Sequence, residues 1–380
     1  MENRVGKIFT IALISIILFL PITLRIFPLK FDMELAGVTL NNEFPQITIS
    51  QVMDGSYQQS IEDYFSQNIN GRGIVIKSGN QLIYTIFNQS PHSGEAIGKN
   101  NQLYELEYIY KKLQYIPPVT DEYTSDLINK LQLLQQKLGS KGTKLFIYIT
   151  PSKAEIYPED IPDIYYRCAP EEQESSYEKF AKGISDADLP FFDAAKYVQT
   201  MKLSTGKNIF SKTGTHWSQV TGTKVARQLI QEMEVQLGYD LTEIEVEEKE
   251  VEEPLAPDAD IFYLMNIIQE PYDKYYEPLI TVSKVGKQQP SLICRGGSFM
   301  GQSITWLVNN DIVSNAVHME NTSLFQDKYS NIQSFSDYAE LDIEQLMKNK
   351  DILILEVNQA AIEQMSFGFI DYLLNSDVLK

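Results

Sequence analysis

The chain has few of the residues from which metal and redox sites are built. Its 380 residues include two cysteines and three histidines. No Cys-x-x-Cys occurs, and His92, His216 and His318 are scattered, so no metal-ligand spacing is present and no metal is expected. Cys294 lies inside an apolar run, as a buried thiol would. Neither G-x-x-x-x-G-K-[ST] nor G-x-G-x-x-G appears, which leaves nucleotide binding without support and implies no cofactor. Basic residues are also in the minority, 32 against 51 acidic, for a formal net charge of -19. Such a chain repels nucleic acid, and no basic patch with interleaved aromatics offsets it. What remains is a length suited to one large domain with additions and a full core.

The first feature present is Ile8–Leu24, an uncharged and almost wholly apolar run. Arg4 and Lys7 precede it as a basic leader, Arg25 can snorkel at its end, and no A-x-A cleavage site follows. The reading is an uncleaved transmembrane anchor over residues 1–30, giving a single-pass protein of the cell membrane with an extracytoplasmic C-terminal domain. Residues 31–97 form a lead-in, extended up to about residue 60. An amphipathic helix is expected over Tyr57–Asn68 and a second after Gly71-Arg72-Gly73, through Ile83, Ile86 and Phe87.

From residue 98 to residue 380 the pattern is that of one α/β domain. Lys144–Thr150, Leu292–Cys294 and Ile352–Asn358 are nearly continuous apolar runs, as expected of strands buried on both faces. Helical patterns separate them: Leu127–Leu138 closed by Gly139, Tyr177–Ile184, the run after His216, and Ile343–Lys348. Pro190–Asp193 reads as a short strand. This alternation implies a mainly parallel sheet flanked by helices. An acidic insert, Glu243–Glu253, interrupts it and reads as a solvated strand or linker. In such sheets, sites form at the carboxyl ends of strands. Lys153, Ser298 and Asn358 all fall on that edge.

Two stretches carry candidate chemistry. In Thr213-Gly214-Thr215-His216-Trp217-Ser218 a histidine sits in turn-forming sequence just ahead of a helix whose apolar face is Val225, Ala226, Leu229, Ile230 and Met233. Such a histidine can act as general base for a nucleophile brought from elsewhere. In Leu292–Gly301 a strand runs through Gly296-Gly297 to Ser298 and then into a helix expected near Ser303–Val308. Strand, glycine turn, serine and helix is the outline of a nucleophile elbow, without the G-x-S-x-G signature.

With Gly98-Lys99-Asn100-Asn101-Gln102-Leu103, Thr150-Pro151-Ser152-Lys153, Tyr157-Pro158-Glu159, Thr215-His216-Trp217 and Gly297-Ser298-Phe299 in this order, the chain resembles the alginate O-acetyltransferase AlgX/AlgJ-like family. That family is also described as SGNH-hydrolase-like or DHHW-type. The resemblance implies an extracytoplasmic O-acetyltransferase with Ser298 as nucleophile and His216 as base. It implies a polysaccharide acceptor, and a multi-spanning membrane acyltransferase as the partner supplying acetyl groups. The family pattern has Asp two residues before the histidine, where this chain has Gly214. The triad acid is therefore open between Asp193, Asp260 and a dyad held by a backbone carbonyl. Asn358 is a candidate second oxyanion donor beside the Ser298 N–H. An acetyl-esterase and a non-catalytic glycan-binding assembly protein are the rival readings.

Overall fold

Lys144–Thr150, Ser291–Gly296 and Ile352–Asn358 lie side by side in a computed structural model of the chain, which describes residues 2–26, 32–38, 43–205, 209–326 and 331–379. They belong to a seven-stranded sheet. Ile352–Asn358 is the middle one of its five parallel strands, paired with Lys144–Thr150 on one side and Ser291–Gly296 on the other. Phe191–Asp193 extends the parallel run at one end and Asn315–Glu320 at the other. Beyond Asn315–Glu320 the sheet turns antiparallel through Ser323–Gln326 and Asn331–Ser334. The sheet is thus mixed, with an antiparallel hairpin on one edge of a parallel core.

Side-chain alternation assigns the two faces. Phe146, Tyr148, Leu292, Cys294, Ile352 and Ile354 enter one cluster, with Val225, Leu229 and Ile304 from the covering helices. Leu145, Ile147, Ile149, Ile293, Leu353 and Leu355 enter the other, with Leu131, Leu134, Phe180 and Phe369. Burial on both faces is why these strands read as unbroken apolar runs. Helix Asp121–Ser140 starts earlier than its apolar stripe and runs past Gly139. Thr120 caps its first turn by accepting the Tyr123 N–H. The acidic stretch is a strand, Glu243–Val251, paired antiparallel with Tyr275–Ser283.

The chain forms two compact units, Gly94–Ile261 with Pro271–Lys380, and Met1–Ser93 with Phe262–Glu270. In the second, the expected extended stretch before residue 60 is partly helical: Ile49–Asp54 is followed by Ser56–Gln67. Thr48 caps the first by accepting the Gln51 N–H, and Gly55 joins the two at φ 84°. Asp32 caps Arg72–Phe87 from outside, accepting the N–H groups of Gly71 and Ile74 at 2.9 and 3.1 Å. Residues 31 and 39–42 of the expected lead-in lie outside the described residues.

The expected spanning anchor is not supported. Glu2–Ile26 is one helix, but among the described residues no helix is long and apolar enough to cross a membrane. Charges sit at both ends, and the uncharged run between them, Ile8–Leu24, reaches about 25 Å at ~1.5 Å per residue, short of a hydrocarbon core of ~30 Å.

Candidate active site

His216 and Trp217 lie on a short extended turn and pack their rings against one phenyl ring. Phe210 and Trp217 form an antiparallel bridge, and the Ser218 N–H donates to Ile209 O at 2.9 Å. Ser218 then caps helix Gln219–Leu237 by accepting the Thr221 N–H. Trp217 is fully buried and meets the Phe299 ring edge-on at 5.0 Å. The His216 ring lies 4.7 Å from the same phenyl ring. Trp217 anchors the turn, and His216 beside it is half-buried.

Lys153 holds this turn from behind. Its buried ammonium donates to the carbonyls of Ser211, Lys212 and Gly214 at 2.7, 3.1 and 2.7 Å. These use all three donors of the group. Burial pushes its pKa down to about 7, against the attraction of Asp260, Asp273 and Asp160. A value below that of the unfolded chain means the unfolded state binds more protons between pH 7 and ~10.4, so stability rises with pH across that window. Relative to Lys153→Met, the wild type is expected to gain stability as the pH rises from 7 to ~9.5. Denaturant titrations of both proteins at the two pH values measure this; parallel pH dependence would contradict it.

Ser298 opens helix Ser298–Asn309 directly after the strand and Gly297. The helix therefore begins earlier than the apolar pattern around Ser303–Val308 indicates. Gly297 is extended (φ -100°, ψ -168°), so the turn does not depend on a left-handed glycine. Gly296 is required for a different reason: a Cβ there would stand 2.5 Å from Glu356 Oε2 and 2.6 Å from Glu356 Cβ. Glu356 in turn accepts the Gly297 N–H at 2.7 Å and a hydrogen bond from the Thr150 hydroxyl. No side chain caps the helix start, so first-turn amides of Ser298 and its successors are available at the serine.

The structure brings Ser298, His216 and Asp260 into one series. His216 Nε2 is 2.7 Å from Ser298 Oγ, and Nδ1 is 2.6 Å from Asp260 Oδ2. Asp260 begins the short helix Asp260–Leu264, and its Oδ1 accepts the N–H groups of Thr215 and Ile261 at 2.8 and 2.7 Å. An ionised Asp260 places the proton on Nδ1 and leaves Nε2 to accept from the serine hydroxyl. At Gly214 there is no room for another acid, since a Cβ would lie 2.8 Å from Pro257 O and 2.9 Å from Asp258 O. The segment that supplies Asp260 thus occupies the space beside Gly214.

The other two candidates are engaged elsewhere. Asp193 accepts the Tyr177 hydroxyl and the Lys196 N–H, at the start of Ala194–Thr205. Asn358 donates to Pro151 O at 2.8 Å and accepts the Ala360 N–H at 3.0 Å, tying down the loop after its strand. It is a brace, and its amide is not directed at Ser298. Asn358→Ala is accordingly expected to cost about 1–3 kcal/mol of stability by leaving Pro151 O and Ala360 N–H unmatched. Any reaction at the Ser298–His216 pair should change in rate by less than about threefold. Thermal melts and rate assays on the same variant check both, and a drop of a hundredfold or more with the fold intact would restore the oxyanion role.

Sequence reasoning missed three carboxylates around the pair. Glu105, Glu320 and Glu356 all have pKa values raised by burial; His216 opposes the shift at Glu105 and Glu320, and Arg295 opposes it at Glu320 and Glu356. The signal for Glu356 was present: it is the one charged residue in the apolar run Ile352–Asn358. Ser298 is exposed, and neither of two cavities of about 320 and 480 Å³ is lined by Ser298 or His216. The pair is open to solvent at the carboxyl edge of the sheet.

This arrangement is that of an α/β protein with serine, histidine and aspartate in hydrogen-bonded series at a strand-to-helix turn. Residues 103–282, just under half of the 380, match the family model described as "SGNH hydrolase-like domain, acetyltransferase AlgX". That match includes His216 and Asp260 and ends before Ser298. The chain is 24% identical over 179 residues to a probable alginate O-acetylase AlgJ of Pseudomonas fluorescens, covering 47% of this chain and 43% of that protein. It is likewise 24% identical over 197 residues to the Pseudomonas aeruginosa AlgJ, covering 51% and 47%. The chain therefore spans under half the length of the curated relatives it matches. Among solved structures, the O-acetyltransferase domain of Pseudomonas putida AlgJ aligns with a TM-score of 0.44 at 14% identity, over 74% of this chain and 99% of that one. The family model and the AlgJ proteins are thus what about half of this chain is similar to.

Proposed function

We propose that the protein is an O-acetyltransferase that moves acetyl groups to hydroxyls of a cell-surface or exported polysaccharide through an acyl-serine. The observation that carries the reading is the 2.7 Å contact between His216 Nε2 and Ser298 Oγ, backed by Asp260 at 2.6 Å. His216 takes the Ser298 proton as Oγ attacks the donor carbonyl, then gives it to the departing group. The uncapped first-turn amides at Ser298 face the developing oxyanion. In the second half a sugar hydroxyl loses its proton to His216 and attacks the acetyl carbon. The Ser298 oxygen leaves and recovers the proton. Transfer, as opposed to hydrolysis, draws support from the AlgJ-named relatives, and an open site suits a polymer. With Asp260 behind the imidazole, Gly214 no longer favours a non-catalytic role.

We also place the site outside the cytoplasm, with Glu2–Ile26 lodged at the membrane and a multi-spanning acyltransferase as acetyl source. The exposed Ile8, Phe9, Ile11, Ile14 and Phe19 support a membrane seat for that helix. The transferase reading is tested with an acetyl nitrophenyl ester and a mixture of oligosaccharides. A burst of nitrophenol followed by O-acetylated sugar is expected. A burst followed only by free acetate would assign the protein as an esterase.

A further inference from the structure

This inference rests on the acyl-serine reading above and concerns the charge of the acceptor. Four carboxylates lie at the His216–Ser298 pair or along the backbone that carries it. Asp260 touches His216 at 2.6 Å. Glu356 accepts the N–H of Gly297, the residue before the serine, at 2.7 Å. Glu320, at the end of the adjacent parallel strand, has its carboxylate against Gly301, one turn into the Ser298 helix. Glu105 ends the strand Leu103–Glu105, whose Leu103 N–H donates to Lys212 O at 2.8 Å in the turn that carries His216. Asp260 and Glu320 keep about a quarter of their side-chain surface exposed, 24% each.

The cations acting on these groups among the described residues do not face solvent. Lys153 and Arg295 are each 2% exposed. Lys153 is spent on three backbone carbonyls. Arg295 donates to the Tyr338 hydroxyl, Met319 O and Asn321 O, and its guanidinium lies over the Phe367 ring. His318 is fully buried beside Glu320 and is held neutral, its pKa pushed down by burial and Arg295 to about 3. Burial moves Glu105, Glu320 and Glu356 toward the protonated form, so the negative sign presented to an incoming polymer comes chiefly from the part-exposed Asp260 and Glu320, on a chain already at -19. A polyuronate carries a carboxylate on every sugar and would meet repulsion at each one placed near the serine.

We propose that the acceptor is an uncharged or amine-bearing sugar polymer, and that these carboxylates reject polyuronates. The relatives named as alginate O-acetylases would then differ from this chain in acceptor. Three oligosaccharides of equal length serve as probes: a neutral glucan, a partly N-deacetylated glucosamine oligomer, and an oligouronate. With an acetyl nitrophenyl ester as donor, transfer to the better of the first two should exceed transfer to the oligouronate at least tenfold at low salt. The ratio should shrink severalfold in 0.5 M salt and in the Glu105→Gln/Glu320→Gln double variant. Equal or preferred acetylation of the oligouronate overturns the proposal, as does a ratio insensitive to both changes. Binding of the three probes to Ser298→Ala reads the same preference without turnover. Weaker uronate binding there supports the charge rule even if the wild type forms no acyl-serine, which would defeat only the reaction reading. Equal or tighter uronate binding overturns the rule.

Discussion

Ser298→Ala and His216→Ala are each expected to lower acyl transfer by about 10⁴-fold or more while leaving the protein folded. A serine hydroxyl attacks poorly at neutral pH unless a base removes its proton as it attacks. His216 is the base within reach, at 2.7 Å, and its other nitrogen is committed to Asp260. Losing either member stops the same step, so the double variant should be scarcely slower than the worse single one. Folding should survive because Ser298 is exposed and the turn that carries His216 is fastened by Trp217 and Lys153, which both variants retain. Steady-state rates and melting curves on the three variants check this; additive losses would contradict a shared step.

Asp260→Asn is expected to lower turnover by about 10³–10⁴-fold, less than removal of the nucleophile. An amide at Oδ2 can offer a donor to Nδ1, which turns the imidazole to the wrong tautomer for accepting the serine proton. The Thr215 and Ile261 N–H bonds to Oδ1 can persist, so the loss should fall on kcat more than on stability. Gly214→Asp should not rescue it. The new Cβ would press on Pro257 O and Asp258 O, both backbone atoms of the segment that carries Asp260. In the wild-type background Gly214→Asp is expected to reduce turnover at least tenfold by displacing that segment. Full rescue of Asp260→Asn by Gly214→Asp would show that the acid works from the position two before the histidine and that Asp260 is dispensable.

The sheet could be read in the sequence where physics left one solution. Ile352–Asn358 and Lys144–Thr150 are apolar on successive residues, which a half-exposed strand or an amphipathic helix would not be. The antiparallel edge was less legible, since Ser323–Gln326 and Asn331–Ser334 are short and mixed in character. Helix starts were missed where the apolar pattern begins late: Ser298 exposes its side chain although it opens a helix, and Phe299 and Met300 behind it are buried. Ile49–Asp54 has no buried residue, so no core-facing stripe betrays it.

The site divides the same way. Ser298 and His216 sit in local patterns of strand, glycine, serine and of turn, histidine, helix. Asp260 lies 44 residues beyond His216 in an irregular segment, and no spacing rule links the two. It stood level with Asp193 until the fold put one beside the imidazole and the other under the Tyr177 hydroxyl. Lys153 was placed on the correct edge, but its clamp on the His216 turn depends on three backbone carbonyls, which side-chain identity does not reveal.

The acyl-serine itself is the most direct point of test. Wild type, Ser298→Ala and His216→Ala are exposed to the same activated acetyl ester, quenched in acid at short times, and digested for mass spectrometry. The account predicts one added acetyl group on the peptide carrying Ser298 in the wild type, slowed by orders of magnitude in His216→Ala and absent at that site in Ser298→Ala. Wild-type protein that stays unlabelled while the ester turns over, or Ser298→Ala labelled in the same peptide at the wild-type rate, would contradict it.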